Sequence, residues 1–170
     1  MSGFKDAVKS GMTEYLEDLK KKLDGLTEAE LRWQATLDSN TITWLVWHMA
    51  RVEDGWINHT IAGGESAWDS GGGAEKTGVK YDNSGYGQDA DDIRAMPPVP
   101  ISVLVEYFDA VRTGSFRVID AMTDDDIATE IDRGHGPITW GWILGHVLAE
   151  EAQHLGQVAF IRGMIRGINA

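Results

Sequence analysis

Apolar positions recur along most of this chain with a helical period, and they outline its elements before anything else is read. Phe4, Val8, Met12, Leu16, Leu19 and Leu23 step by four, four, four, three and four, which predicts one helix with a single apolar stripe. Gly25 ends it. Thr27-Glu28-Ala29-Glu30 has a capping-box pattern and starts a short turn or helix through Trp33. A second long helix begins near Asn40 or Thr41 and runs to about Ile61, where Gly63-Gly64 stops it. Ile42, Leu45, Met49, Val52 and Trp56 form its main stripe. Trp44, Trp47 and His48 widen that stripe to most of the circumference, which predicts a helix buried among neighbours.

Residues 62–100 break the period. Gly71-Gly72-Gly73, Asn83-Ser84-Gly85 and Pro97-Pro98 are loop chemistry, with a helical turn over Asp89 to Met96. A loop this long in a small domain is either a lid, crossover or partner-binding segment, or a floppy insertion. The third long helix spans about Ser102 to Met122, with Leu104, Phe108, Val111, Ser115, Val118 and Met122 on one face. Thr123-Asp124-Asp125-Asp126 caps a short helix. Arg133-Gly134-His135-Gly136-Pro137 is a turn, in which His135 is exposed. The last helix runs from near Thr139 to about Arg166, with Ile143, Val147, His154, Val158, Ile161 and Ile165 at helical spacing. No segment alternates at period two, so no sheet is expected. The pattern predicts an all-α fold, a four-helix bundle with a long crossover loop between the second and third long helices, in one domain over residues 1–170. A weak internal echo accompanies it: Ile42-Thr43-Trp44 recurs as Ile138-Thr139-Trp140, each opening a long helix and each followed by a histidine, His48 or His146.

Composition narrows the function. The net charge of −12, with basic residues scattered, argues against a nucleic-acid partner. Lys20, Lys21 and Lys22, and Arg162 and Arg166, sit near helix ends, where they complement helix dipoles. The N-terminus lacks a charged-then-apolar leader, and no run approaches the ~20 apolar residues that cross a bilayer. A cytoplasmic protein with no membrane partner is expected. Seven Trp point to an indole-rich core or pocket. There is no cysteine, so disulfides, thiolate ligands and a cysteine nucleophile are excluded, and a metal would have to use His and carboxylate.

The last helix offers such a set. His146, Glu150 and His154 stand at i, i+4 and i+8. The outer two are ~12 Å apart along the axis, too far for one ion. Glu150 and His154, one turn apart at mid-helix, are the better pair. His48, flanked by Trp44 and Trp47 on a buried helix, needs a partner for its ring nitrogens. Either it is hydrogen-bonded in the core, or it joins that pair as a His2Glu set, which leaves a coordination position open. Ligation by nitrogen and oxygen admits zinc first, and also nickel, iron or manganese. In the alternative, Glu150 and Glu151 form a solvated face, the histidines fill the core, and His59 complements a helix end.

Two segments carry a family resemblance: Trp44-Leu45-Val46-Trp47-His48-Met49-Ala50-Arg51-Val52-Glu53, and His146-Val147-Leu148-Ala149-Glu150-Glu151-Ala152-Gln153-His154-Leu155-Gly156-Gln157. The chain resembles the DinB-like (damage-inducible) superfamily of four-helix metalloproteins, which has a ligand histidine in the second helix and an H-x-x-x-H pair in the last, often followed by Gly-Gln. Here Glu150 stands where the first histidine of that pair is usual. That departure is similar to the N-terminal domain of the mycothiol-dependent maleylpyruvate isomerase-like proteins, whose glutamate lies in a Glu-Glu-Ala-x-His run. The resemblance implies metal ligands at His48, Glu150 and His154. The isomerase has a further C-terminal domain, and this chain ends at Ala170, so thiol transfer is expected rather than that isomerisation.

The resemblance thus implies a metal-dependent S-transferase with mycothiol or a similar low-molecular-weight thiol as co-substrate. Its partners would be that thiol and an electrophile, under a lid drawn from residues 62–100, in a possible homodimer. A metal hydrolase is the second reading, with Glu53 or Glu151 as base only if they face the pocket. A non-catalytic module that binds a metal or small molecule is the third.

Overall fold

The computed structural model describes residues 3–134 and 136–167, so the expectation for His135 lies outside the described residues. Four long helices carry the fold: α1 (Phe4–Leu23), α3 (Ile42–Glu53), α7 (Ile101–Ala121) and α8 (Trp140–Arg166). They pack in a closed ring, α1 on α8, α8 on α3, α3 on α7 and α7 on α1. The predicted stripes face inward. Met12, Leu16, Leu19 and Leu23 of α1 are buried, and Phe4 and Val8 pack against the core's edge. α3 is buried nearly all round, as its wide stripe requires.

Short elements complete the chain: α2 (Glu28–Leu31), α4 (Ala67–Ser70), α5 (Gly73–Thr77) and α6 (Ala90–Ala95). The capping box at Thr27 and Glu30 closes as predicted. Arg166 does more than complement a helix end. It donates to Glu30 at 2.7 Å, ties α8 to α2, and holds the Glu30 carboxyl down at about 2, with the Thr27 backbone N–H helping.

Two local expectations are corrected. α3 does not continue as an α-helix to Ile61, because Asp54–Ile61 winds as a π-helix. The chain also holds a small antiparallel ribbon, β1 (Glu130–Asp132) with β2 (Pro137–Thr139), in which Ile131 faces Ile138. Three residues per strand are too few for a period-two signal. The predicted helix after Thr123 is a single tight turn, Asp126–Ala128, whose Asp126 carboxylate accepts from the Thr123 N–H.

The crossover between Ile61 and Ile101 is anchored. Asp54, fully buried, accepts from the N–H groups of Ala67 and Trp68 at the start of α4, from the Tyr107 hydroxyl and from Asn58. Asn58 also donates to the Val111 carbonyl of α7. Gly114 makes that approach possible, since a Cβ there would lie 2.6 Å from the Asn58 side-chain oxygen.

A polar layer crosses the bundle. The apolar core falls into two clusters, one around Leu16, Ala50, Phe108 and Val158, the other around Met12, Ile57, Ile119 and Val147. Between them Arg112 of α7 is buried. It donates to both oxygens of Glu53 in α3 at 3.1 Å, to Glu151 of α8 at 2.7 Å, and to the Met12 carbonyl of α1. Burial alone would lower the Arg112 pKa, but the two carboxylates raise it. Burial and the neighbouring Glu53 push the Glu151 carboxyl well above the usual range.

Removing the cation leaves buried acids uncompensated, so Arg112→Met is expected to cost about 3–5 kcal/mol in urea unfolding. For Glu151 the folded state keeps a proton that the unfolded chain releases near the ordinary Glu value. Its contribution is therefore full at low pH and lost as pH rises from that value toward the raised folded one. Glu151→Gln, neutral and of the same shape, is expected to flatten this loss and to stay within about 1 kcal/mol of the parent at neutral pH.

Candidate metal centre

Two helix openings place the site with the same local chemistry. Thr41 caps α3 by accepting from the Trp44 N–H, and Thr139 caps α8 by accepting from the Trp142 N–H, both at 3.1 Å. In each helix a histidine follows that tryptophan by four residues, and the two rings stack. Trp44 and His48 lie 4.7 Å apart at 9°, Trp142 and His146 4.6 Å apart at 12°. The internal echo thus has a different register: Thr41 matches Thr139, in a Thr-x-x-Trp-x-x-x-His pattern.

The structure brings His48, Glu150 and His154 together, with one ligand atom from each lying within 4.8 Å of the others. Glu150 Oε2 stands 3.6 Å from His48 Nε2 and 3.1 Å from His154 Nε2. The two imidazoles meet edge to face at 4.8 Å. Each is held from behind. His48 Nδ1 lies 2.5 Å from the Ser84 carbonyl, and His154 Nδ1 lies 2.8 Å from Gln157 Oε1. A carbonyl can only accept, so the His48 proton belongs on Nδ1, which leaves the Nε2 lone pair toward Glu150. His154 faces an oxygen at each ring nitrogen, Gln157 Oε1 at 2.8 Å and Glu150 Oε2 at 3.1 Å, and a neutral ring can donate to only one of them.

This donor set fits a divalent cation. Two imidazole nitrogens and a carboxylate oxygen converge on one point, where a cation would be shared by all three. Protonating His48 is disfavoured: burial, with the nearby His154, holds its imidazole below the usual range against the pull of Ser84 and Glu150. Neutral imidazoles fixed through Nδ1 are the usual second layer of a metal site. Three protein ligands leave a coordination position for a substrate.

His48 and Glu150 line a cleft of about 540 Å³. Its walls include Arg51, Trp56, His59, Asp82, Ser84, Tyr86, Arg133 and His146. The π-helix supplies Trp56 and His59, and His59 hydrogen-bonds the Gly64 carbonyl through Nδ1. His146 is close to the site after all, with its Nε2 3.8 Å from the other Glu150 oxygen, Oε1. The crossover lines the cleft through Asp82 to Ser84 and Tyr86. Gly85 packs there at φ +96°, where a Cβ would lie 2.8 Å from Trp44 and 2.9 Å from Trp47. Gln88 accepts from the Trp44 indole N–H at 2.7 Å and holds the same loop.

The adjacent glutamates part company. Glu150 reaches the cleft, while Glu151 is buried on Arg112, so the alternative of a solvated face at 150 and 151 does not form. Glu53 is also committed to Arg112, and neither acid faces the cleft as a base. Sequence reading missed Arg112, Arg133, Gln157's contact and the Ser84 carbonyl. A charged residue among the apolar positions of the third helix was the signal available for Arg112. A backbone carbonyl has none.

A family model described as Mycothiol-S-transferase matches residues 7–167. No curated protein sequence matches the chain. Among solved structures, a conserved protein of locus from Enterococcus faecalis is similar at TM-score 0.89, with 19% identity over 98% of this chain and 99% of that chain. A DinB-like protein from Bacillus cereus ATCC 10987 is similar at TM-score 0.61, with 19% identity over 94% of this chain and 91% of that chain. These two likenesses bear on the fold alone, and they bear out the all-α architecture read from the sequence. No helix among the described residues is long and apolar enough to cross a membrane.

Titration with zinc or nickel, followed by calorimetry and elemental analysis, is expected to give one ion per chain. Gln157→Ala, which removes the support behind His154, and Gly85→Ala, whose Cβ would push the Ser84 loop away from Trp44 and Trp47, are expected to weaken binding about 10–100-fold. Unchanged affinity in both would show that those supports do not orient the ligands.

Proposed function

The chain belongs to the mycothiol S-transferase family, and on that basis we propose that it is a divalent-metal-dependent thiol S-transferase using mycothiol or a similar low-molecular-weight thiol. The observation that carries this reading is the convergence of two imidazoles and a carboxylate, two of the three lining an open cleft. His48 and His154 would hold the ion through Nε2 and Glu150 through a carboxylate oxygen. Zinc is the ion proposed first, since two histidines and a glutamate form a recognised catalytic zinc set, with nickel, iron or manganese also compatible. A divalent cation bound there lowers the pKa of an incoming thiol and favours the thiolate, the attacking species.

The chain's own groups do the rest. Ser84 keeps His48 in the tautomer that offers Nε2, and Gln157 holds the His154 ring from behind. Trp44, stacked on His48 and pinned by Gln88, stops that ring from turning. The cleft walls set the electrophile beside the thiol sulfur, between the Asp82–Tyr86 loop and the β1–β2 turn. The sulfur forms a bond to the electrophilic carbon as the leaving group departs with its electron pair, and the thiol proton is released to solvent. The absence of protein cysteine is no obstacle, because the sulfur comes from the co-substrate. Of the competing readings, a hydrolase loses both of its candidate bases, since Glu53 and Glu151 are taken by Arg112.

Thiol consumption against a model electrophile tests the proposal. Zinc-loaded protein is expected to consume mycothiol at least about tenfold faster than metal-stripped protein or His48→Ala. Equal rates in loaded and stripped protein would sink it.

A further inference from the structure

Two arginines stand out in the cleft. The Arg133 guanidinium lies 5.0 Å over Trp56, and that of Arg51 lies 5.1 Å over Trp68. The chain has 27 acidic residues against 15 Lys and Arg, so partners are plentiful. Arg94, Arg112 and Arg166 each take a carboxylate; among the described residues Arg51 and Arg133 form no ion pair, as Arg32 and Arg117 form none, but only Arg51 and Arg133 of these four line the cleft. Arg51 donates to the Asp82 carbonyl at 3.3 Å and is half-buried, with its Nε unpartnered. Arg133 is exposed on the turn of the β-ribbon. Its neighbour Asp132 accepts from the N–H groups of Gly134 and Gly136. Asp69 and Asp82 also line the cleft, and Asp69 takes the Ser66 hydroxyl.

A guanidinium stacked on an indole uses its face and keeps its edge donors for a planar anion. The ribbon thus presents a fork of N–H groups into the cleft that holds His48 and Glu150, across from the Tyr86 loop. We propose that the cleft takes an electrophile bearing a carboxylate, with Arg133 as its anchor and Arg51 adding positive charge on the same cleft. This inference names the substrate class of the transferase reading and rests on it. Arg133 is a specificity-determining residue: it holds the end of the electrophile remote from the reacting carbon.

The test uses 4-(chloromethyl)benzoate against 4-(chloromethyl)benzamide, with mycothiol and zinc-loaded full-length protein. The two share a shape and a leaving group. In each, a carbon–sulfur bond forms as chloride leaves. The wild type is expected to favour the carboxylate by about tenfold in kcat/KM, the worth of one charge-assisted contact. Arg133→Ala is expected to lower that ratio about tenfold, mainly through KM, and Arg133→Lys to restore part of it. No preference in the wild type, or a preference that survives Arg133→Ala, would overturn the inference. Unreactive benzoate and benzamide, titrated by quenching of tryptophan fluorescence, separate the two failures. If neither chloride is consumed, the transferase reading falls, while tighter binding of benzoate that is lost in Arg133→Ala still upholds the anion anchor. Equal binding of benzoate and benzamide to the wild type overturns it.

Discussion

The bundle is organised around one buried cation. Arg112 satisfies its guanidinium with Glu53, Glu151 and the Met12 carbonyl, so one side chain touches all four long helices. Apolar packing tolerates small slips between helices, but a buried ion pair does not, because a misplaced carboxylate leaves a charge without a partner. The layer therefore fixes rotation and register where the apolar clusters above and below would leave both looser. It also aims the site. Successive helical residues point about 100° apart, so turning Glu151 inward onto Arg112 turns Glu150 toward the cleft. On α3, Glu53 and His48 are five residues apart and point about 140° apart, which divides the same two tasks.

The crossover is the second constraint. It begins on Asp54, whose carboxylate gathers the start of α4 and the Tyr107 hydroxyl, and it passes over the site at Ser84. The carbonyl there decides which nitrogen of His48 carries a proton. A loop thus contributes to the site without giving it a side chain. Gly85 and Gln88 hold that carbonyl in place against the tryptophans of α3. The β-ribbon closes the other side and brings Arg133 over Trp56. The cleft is shared between rigid helices, which hold the triad, and connecting segments, which meet the substrate.

Much of this was legible in the chain. The helical period of the apolar residues, the Gly and Pro punctuation and the threonine caps gave four long helices and a long crossover, since those signals are local. The meeting of His48 with Glu150 and His154 was readable as one of two alternatives from one-turn spacing and a histidine set among tryptophans, and the family resemblance pointed to it. The π-helix at Asp54–Ile61 was not, because its apolar positions fit an α-helix equally well and its widened turn goes with bonds to α4 and α7. The ribbon was too short to show a period.

By itself the sequence determined the helices, the residues that could hold a cation and the exclusion of thiolate ligands, because spacing and composition are properties of the chain alone. Only the tertiary structure decided what neighbours would do. Glu150 and Glu151 are chemically identical and adjacent, and nothing local separates them. One faces a cleft with two imidazoles and the other a buried guanidinium, because Arg112, 39 residues from Glu151 along the chain, fixes how α8 is turned.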